Sequence, residues 1–461
     1  MSVVIASLVV LGILFIATEN VNRMNRSAVA MFIGVLCWLL YIIDGSHLLA
    51  AEHADSLAAF LDGRDESRSL VKDFIADSLF LKYMARAAEV ALFLFGTMTT
   101  LDVLTGNGCF DFLPEWLRTR NPRRYLWWLA GFTFVLSANL DNLITVCMML
   151  AVMHTMVSAR RLRMTYGAVI VLAANCGGAF TVIGDVSSLT LWMEGLVTPT
   201  RYAAMQVLSA VVALVVVLLL VMRELPRRLD VVQTAPPYRG DDTILTRWQR
   251  LLMLIVGIGG LWFVPTFHRL THLPPFVGVL CVLSFLWIVD ELCNRSLLGS
   301  DRMVRKRQPQ ALQYANMQHI LFYIGLTFAF GALAETGLLT RLLGYTATYA
   351  DNLYGHGLCL GLLSALGGNL SVVLAGVALF ADASLPTSAK LSCCFLQDGV
   401  FWPLLSYTTA LGGTLLPGGT LAGCALMRME DVSIKWYLRH FAPKVLLAWL
   451  IGLALFFLLA S

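Results

Sequence analysis

Charge is what this sequence has least of. Of its 461 residues only 13% are charged while 58% are hydrophobic, and the mean hydropathy is +0.75. Soluble domains carry about 25% charged residues, so a water-facing shell around a core of this apolarity is excluded and an integral membrane protein is implied, with the bilayer as its main partner. The ten cysteines stand singly apart from Cys393-Cys394, which excludes a disulfide framework or a spaced-ligand zinc site. The eight histidines do not cluster. No cofactor and no nucleic acid partner are expected. No small-residue cleavage site follows the apolar run from Val3 to Ala17, so that run reads as a first membrane helix and not as a signal peptide.

What is present is a series of apolar runs, approximately 3 to 18, 27 to 45, 79 to 103, 125 to 153, 164 to 193, 203 to 221, 251 to 266, 274 to 292, 317 to 340, 353 to 380, 398 to 427 and 445 to 460. Basic residues favour the cytoplasmic side, and they sort these runs. Arg23 and Arg26 place the first connection inside, which makes the acidic segment 46 to 78 external. Arginines at 118, 120, 123 and 124 precede the run 125 to 153, and arginines at 160, 161 and 163 follow it. Both ends therefore lie on one side, so 125 to 153 reads as a re-entrant hairpin. By the same rule 353 to 380 reads as a second hairpin entering from the outside, and both chain termini are external. Residues 223 to 250, with Pro226, Pro236 and Pro237, read as a cytoplasmic linker between a first repeat (1 to 222) and a second (251 to 461).

The tip of the first hairpin, Leu136-Ser137-Ala138-Asn139-Leu140-Asp141-Asn142, sets a carboxylate and two amides in apolar surroundings. Ionisable groups at membrane depth are costly enough to be functional by default. A second stretch answers it in the run 164 to 193, where Asn175, Gly177, Gly178, Gly184, Asp185, Ser187 and Ser188 fall within a helix-length segment. Paired glycines let a membrane helix unwind and expose carbonyl oxygens and half-helix ends. Together the two stretches read as an oxygen-lined cation site at the middle of the membrane, suited to a hard cation such as sodium. A proton and a cation neutralise the same buried carboxylates, and competition between them is an antiport mechanism. Asp and Asn also cap half-helices, which is the plainer reading of Asp141, Asn142 and Asp185.

The tip aligns without gaps on Leu363 to Asn369, and Gly177 to Asp185 aligns on Gly412 to Thr420. The expected fold is thus all-α and polytopic, with two inverted-topology repeats, each holding a re-entrant hairpin and a broken helix (164 to 193 and 398 to 427). Charge is not repeated: Asp141 aligns with Gly368 and Asp185 with Thr420. Ser364, Asn369, Thr414 and Thr420, with the break glycines Gly412, Gly413 and Gly419, leave a neutral polar cluster that reads as a weak site or a structural remnant.

The tip ending in Asp141-Asn142 and the break ending in Ile183-Gly184-Asp185 resemble those of NhaD-type sodium/proton antiporters of the ion transporter superfamily. The similarity runs from Ala17-Thr18-Glu19 and the segment Asn25 to Ala30 through to Phe401-Trp402 and Tyr407. The resemblance implies secondary transport and not enzyme catalysis: exchange of sodium, and by extension lithium, for protons across a bacterial inner membrane. It also implies a transport domain of hairpins and broken helices beside a scaffold at which such proteins form homodimers. The cation positions it implies are Asp141, Asn142, Asn175, Asp185, Ser187 and Ser188, to which Ser137 of the tip is added, although the family usually has threonines where the two serines stand. Ser364 and Asn369 match in the second half, whereas the family usually has Asp at the place of Gly368. Glu89 resembles a family carboxylate and reads as a proton-path residue or a partner of Arg86; Glu335 and Asp398, near run boundaries, are weaker candidates for the same path.

Three other readings compete. An anion carrier for arsenite or dicarboxylates would place positive groups at the site, which two aspartates oppose. An intramembrane aspartyl protease resembles its relatives in Gly-x-Gly-Asp, and Val182 stands where the first glycine belongs. A channel needs a continuous pore, whereas paired hairpins and broken helices favour alternating access.

Overall fold

A computed structural model describes residues 1–461 apart from 23, 62–66, 228–244, 295–309, 340, 342–352, 382–393 and 461. Most of the linker 223 to 250 and the basic stretch before 310 therefore lie outside the described residues. Among the described residues every regular element is helical. The principal helices are α1 (Ser2–Ala17), α2 (Arg26–Ile43), α3 (Arg68–Gly106), α4 (Pro122–Ser137), α5 (Asn142–Met156), α6 (Arg160–Ala179), α7 (Val186–Met193), α8 (Pro199–Met222), α9 (Arg247–Thr271), α10 (Pro275–Cys293), α11 (Gln310–Ala334), α12 (Leu353–Gly367), α13 (Asn369–Phe380), α14 (Phe401–Gly413), α15 (Leu421–Glu430) and α16 (Ala442–Ala460).

Seven of these, α2, α3, α8, α9, α10, α11 and α16, are long and apolar enough to cross a membrane. Their lipid-facing character is visible in exposed Phe32, Leu39, Ile43, Trp262, Phe285 and Leu292, side chains that water would not tolerate in such density. The chain is a multi-pass membrane protein. By contrast α4 and α5 have 16 and 15 residues, about 24 and 22 Å at 1.5 Å per residue, short of a hydrocarbon core of about 30 Å. They are joined by the turn 138–141, and α12 and α13 are joined through the single residue Gly368 at φ +87°. Residues 180–185 separate α6 from α7, and 414–420 separate α14 from α15.

Within the acidic segment 46 to 78 the described residues are more regular than its composition suggests. Gly45–Glu52 and Ala54–Leu61 are helical, and Arg68–Phe74 continues through a π-helical turn at Ile75–Phe80 into α3. Leu48, Leu49, Leu57, Val71 and Phe74 are buried. Spaced apolar residues among charges give the segment one face to bury.

The helices pack as two groups. α1, α2, α3, α9, α10 and α11 form one bundle, tightest where α2 meets α11, with Gly34 against the Gly325 carbonyl. Small residues of this kind let membrane helices approach where lipid supplies no hydrophobic drive. The other bundle holds both hairpins, both broken helices, and α8 and α16 packed on each other. α13 against α11, α7 against α3 and α1 against α12 join the two bundles.

Matching contacts hold each hairpin on its broken helix. The Ser137 hydroxyl reaches the Ala174 carbonyl at 2.8 Å, and the Ser364 hydroxyl reaches the Thr409 carbonyl at 2.7 Å. A Cβ at Gly177 would collide with the Phe134 carbonyl, and one at Gly412 with the Gly361 carbonyl. Backbone cannot yield as a side-chain end can. We predict that Gly177→Ala and Gly412→Ala each cost about 1–3 kcal/mol through overpacking, read as a lowered midpoint in thermal unfolding of the detergent-solubilised protein; unchanged midpoints would refute the close approach.

Candidate functional site

The turn after α4 ends at Asp141, which caps α5: its Oδ1 accepts from the backbone amides of Leu143 (2.9 Å) and Ile144 (3.4 Å). Asp185 stands at the same capping position before α7. Between them the break is tied to the tip, as Thr181 Oγ1 donates to the Ala138 carbonyl at 2.7 Å and accepts from the Gly184 amide at 3.0 Å. In the second half Thr420 Oγ1 accepts from the Gly423 amide at 3.0 Å, and Gly368 precedes α13 with no side chain to cap it.

These four interruptions converge. A cavity of about 20 Å³, room for roughly one water-sized species, is lined by Asp141, Asn142, Asn175, Asp185, Asn369 and Thr420, together with His319 of α11. A chain of hydrogen bonds frames it. Ser137 Oγ lies 2.5 Å from Asn142 Oδ1, Asn142 Nδ2 donates to Asn175 Oδ1 at 3.3 Å, and Asn175 Nδ2 reaches Thr420 Oγ1 at 3.5 Å. Asn369 Nδ2 donates to Asp185 Oδ2 at 3.0 Å, which joins the second hairpin to the first break. The first residues of α5, α7, α13 and α15 all line the cavity, so four partly positive helix ends meet there. Only the first two have a carboxylate at the N-cap position, and of these Asp141 alone makes side-chain capping bonds. Two anionic and several neutral oxygen donors around a space this small suit a dehydrated hard cation.

A second cavity of about 20 Å³ lies against the second half, lined by Arg26, Gly368, Asn369, Ser371 and Thr420 among others. No carboxylate lines it. Arg26 there is held by Glu19, which also accepts from Arg428 Nη2 at 2.6 Å. A fixed guanidinium beside two helix N-termini disfavours a second cation.

The remaining sequence candidates take other places. Ser188 closes the break, its hydroxyl within 2.7 Å of the Thr181 carbonyl and 2.8 Å of that of Asp185. Ser187 is buried without a hydrogen-bond partner and stands outside the cavity lining. The Thr414 hydroxyl donates to the Leu411 carbonyl at 2.5 Å. Glu89 is partly exposed on α3 and lines neither cavity. Its neighbour Arg86 pairs with Glu194 at 3.1 Å across the two bundles. Glu335 accepts from Tyr83 at 2.7 Å and meets His53 at 2.5 Å, while Asp398 accepts from Thr198; both stand away from the cavity. The composition gave no hint of His319, 3% exposed with neither ring nitrogen hydrogen-bonded. Its signal was present, as an imidazole within the predominantly apolar run 317 to 340. Leaving a polar group buried and unmet costs about 1–3 kcal/mol.

Comparison with known proteins bears on what this arrangement serves. The family model described as citrate transporter matches residues 13–393. The chain belongs to that family. It is therefore a transporter and not an enzyme. Among curated relatives of this family member, sodium/proton antiporter 2 of Arabidopsis thaliana is 27% identical over 93% of each chain. Sodium/proton antiporter 1 of the same plant is 31% identical over 80% of this chain, which spans 62% of that relative's length. The Na(+)/H(+) antiporter NhaD of Vibrio cholerae is 26% identical over 81% of this chain and 78% of its own. In fold the family member is similar to the solved structure of Neisseria gonorrhoeae MtrF, titled as one of a class of antimetabolite efflux pumps, at a TM-score of 0.52 and 12% identity over 91% of this chain and 94% of that one.

Asn175 ties the polar frame across the two halves, its side chain bonding Asn142 in the first and Thr420 in the second. Replacing it with leucine strands Asn142 Nδ2, while Thr420 Oγ1 keeps the Gly423 amide, and we predict a loss of about 1–3 kcal/mol in thermal unfolding, whereas Leu172→Met, on the same helix and away from the cavity, leaves the midpoint within error.

Proposed function

We propose that this protein exchanges sodium, with lithium as a second alkali cation, for protons by alternating access, cation and proton competing for Asp141 and Asp185. The observation that carries this reading is that the two carboxylates line one small cavity with Asn142, Asn175, Asn369 and Thr420 and with no lysine or arginine. Buried charge needs a counter-charge, and beyond the partial charges of the helix ends the cavity lining offers no lysine or arginine to supply one. A proton or a sodium ion supplies it. Relatives named as sodium/proton antiporters support the same substrates.

The setting proposed for this exchange is a bacterial inner membrane, with both termini external, two inverted repeats and a homodimer assembled through the bundle that holds α2 and α11. The bundle of hairpins and broken helices carries the cavity between the two sides. An anion carrier of the same superfamily remains the alternative, and the second cavity with Arg26 is the feature that would serve it.

Inverted vesicles from an antiporter-deficient host, reporting internal pH through a quenched dye, decide between them. We predict dequenching on addition of sodium or lithium, lost in Asp141→Asn and in Asp185→Asn; no response to any alkali cation, or full activity in Asp141→Asn, would sink the antiporter reading and turn attention to arsenite and dicarboxylates. Because the cavity against the second half has no carboxylate in its lining, the rate should rise hyperbolically with sodium; a sigmoidal rise would require a second coupled cation.

A further inference from the structure

His319 is the cavity's exception in origin. Asp141, Asn142, Asn175, Asp185, Asn369 and Thr420 all come from hairpins and broken helices, whereas His319 comes from α11, which packs on α2 and α3 in the other bundle. It is 3% exposed, and neither ring nitrogen has a hydrogen-bond partner. Its Nδ1 lies 3.7 Å from Asp141 Oδ1, beyond the range of about 2.7–3.2 Å for an N–H···O bond. The charged neighbour on α2, Arg26, is committed to Glu19 and to the sulfur of Cys424. The imidazole is thus aimed at one carboxylate, one short movement from bonding it, and held back from everything else.

We propose that His319 is a positioning residue for the sodium-free site: when the cavity holds no sodium, its N–H donates to the Asp141 carboxyl and docks the first hairpin tip against α11. A sodium ion in the cavity draws the Asp141 oxygens to itself and removes that bond. The imidazole acts here as a neutral donor and needs no change of charge. It therefore serves the leg of the cycle in which the hairpin bundle returns without sodium, and not the leg in which it carries sodium. This inference rests on the sodium/proton reading above.

The two legs separate experimentally in proteoliposomes of the full chain. Exchange of radioactive for unlabelled sodium at equal pH uses only the loaded leg, while sodium-driven proton movement uses both. The expected result for His319→Leu is a fall of about tenfold in sodium-driven proton movement, the weight of one hydrogen bond, with sodium/sodium exchange within about twofold of wild type on the same scale. His319→Gln, which keeps an N–H donor, should recover most of the proton movement. A parallel fall in both rates, or no fall in either, overturns the proposal, as does a Gln variant no better than Leu. Wild-type vesicles with no sodium-driven proton movement would instead overturn the underlying reading, so the two failures are distinct.

Discussion

Everything in this molecule that is not lipid-facing follows from one constraint: a helix interrupted inside an apolar bundle leaves amides and carbonyls that water cannot reach. The chain meets that cost with short side chains placed at the interruptions. Asp141 and Thr420 accept from backbone amides, Thr181 and Ser188 bond carbonyls and amides of the break, and Ser137 and Ser364 reach across to the facing helix. Once the backbone is satisfied in this way, the surplus polar atoms face one another across the cavity. The site is what remains after the fold has been made possible.

The two halves solve the same problem with different charge. Gly177 and Gly412, Ser137 and Ser364, and the two capping positions before α7 and α15 correspond, because backbone approach and capping depend on shape. The carboxylates do not correspond, since Gly368 and Thr420 stand where Asp141 and Asp185 do in the first half. Shape symmetry builds the pair of breaks, and in the proposed exchange charge asymmetry is what favours a cation at the first of them. Arg26 sharpens the assignment by bringing a positive group to the side that lacks carboxylates.

Much of this was legible in the sequence, for reasons specific to membranes. A run such as 125 to 153 has arginines at both ends, which places both ends on one side, and the paired glycines at 177–178 and 412–413 stand at the helix ends just before residues 180–185 and 414–420. Asp141 and Asp185 stood out because a carboxylate in an apolar run has few structural uses. Ser188 and Thr414 were less readable: a hydroxyl in a helix can bond its own backbone or face a cavity, and only three-dimensional packing separates the two. His319 escaped notice because its importance lies in what it faces, 178 residues of chain away from Asp141, and local pattern carries no record of such a meeting. The amphipathic helices within 46 to 78 were hidden by their charge.

The boundary between the two bundles sets the terms on which the proposed exchange operates. Arg86 on α3 meets Glu194 just past α7, and Glu19 beside α1 meets Arg428 on α15, so ion pairs join the bundles at the outer ends of two different half-helices. Each half-helix reaches from an ion pair at its far end to the cavity at its near end. A displacement of the hairpin bundle that carried α7 and α15 along would stretch both pairs together with the approach of His319 to Asp141. Glu19 keeps Arg26 on its own bundle when Arg428 departs, so its carboxylate is not stranded. Arg86 is one-third exposed and Glu194 half that, so water can replace what the pair loses. The imidazole has no such fallback, being buried and otherwise unbonded. Of the three contacts it is therefore the one whose energy depends most on what occupies the cavity, and the one through which occupancy is best placed to bias movement.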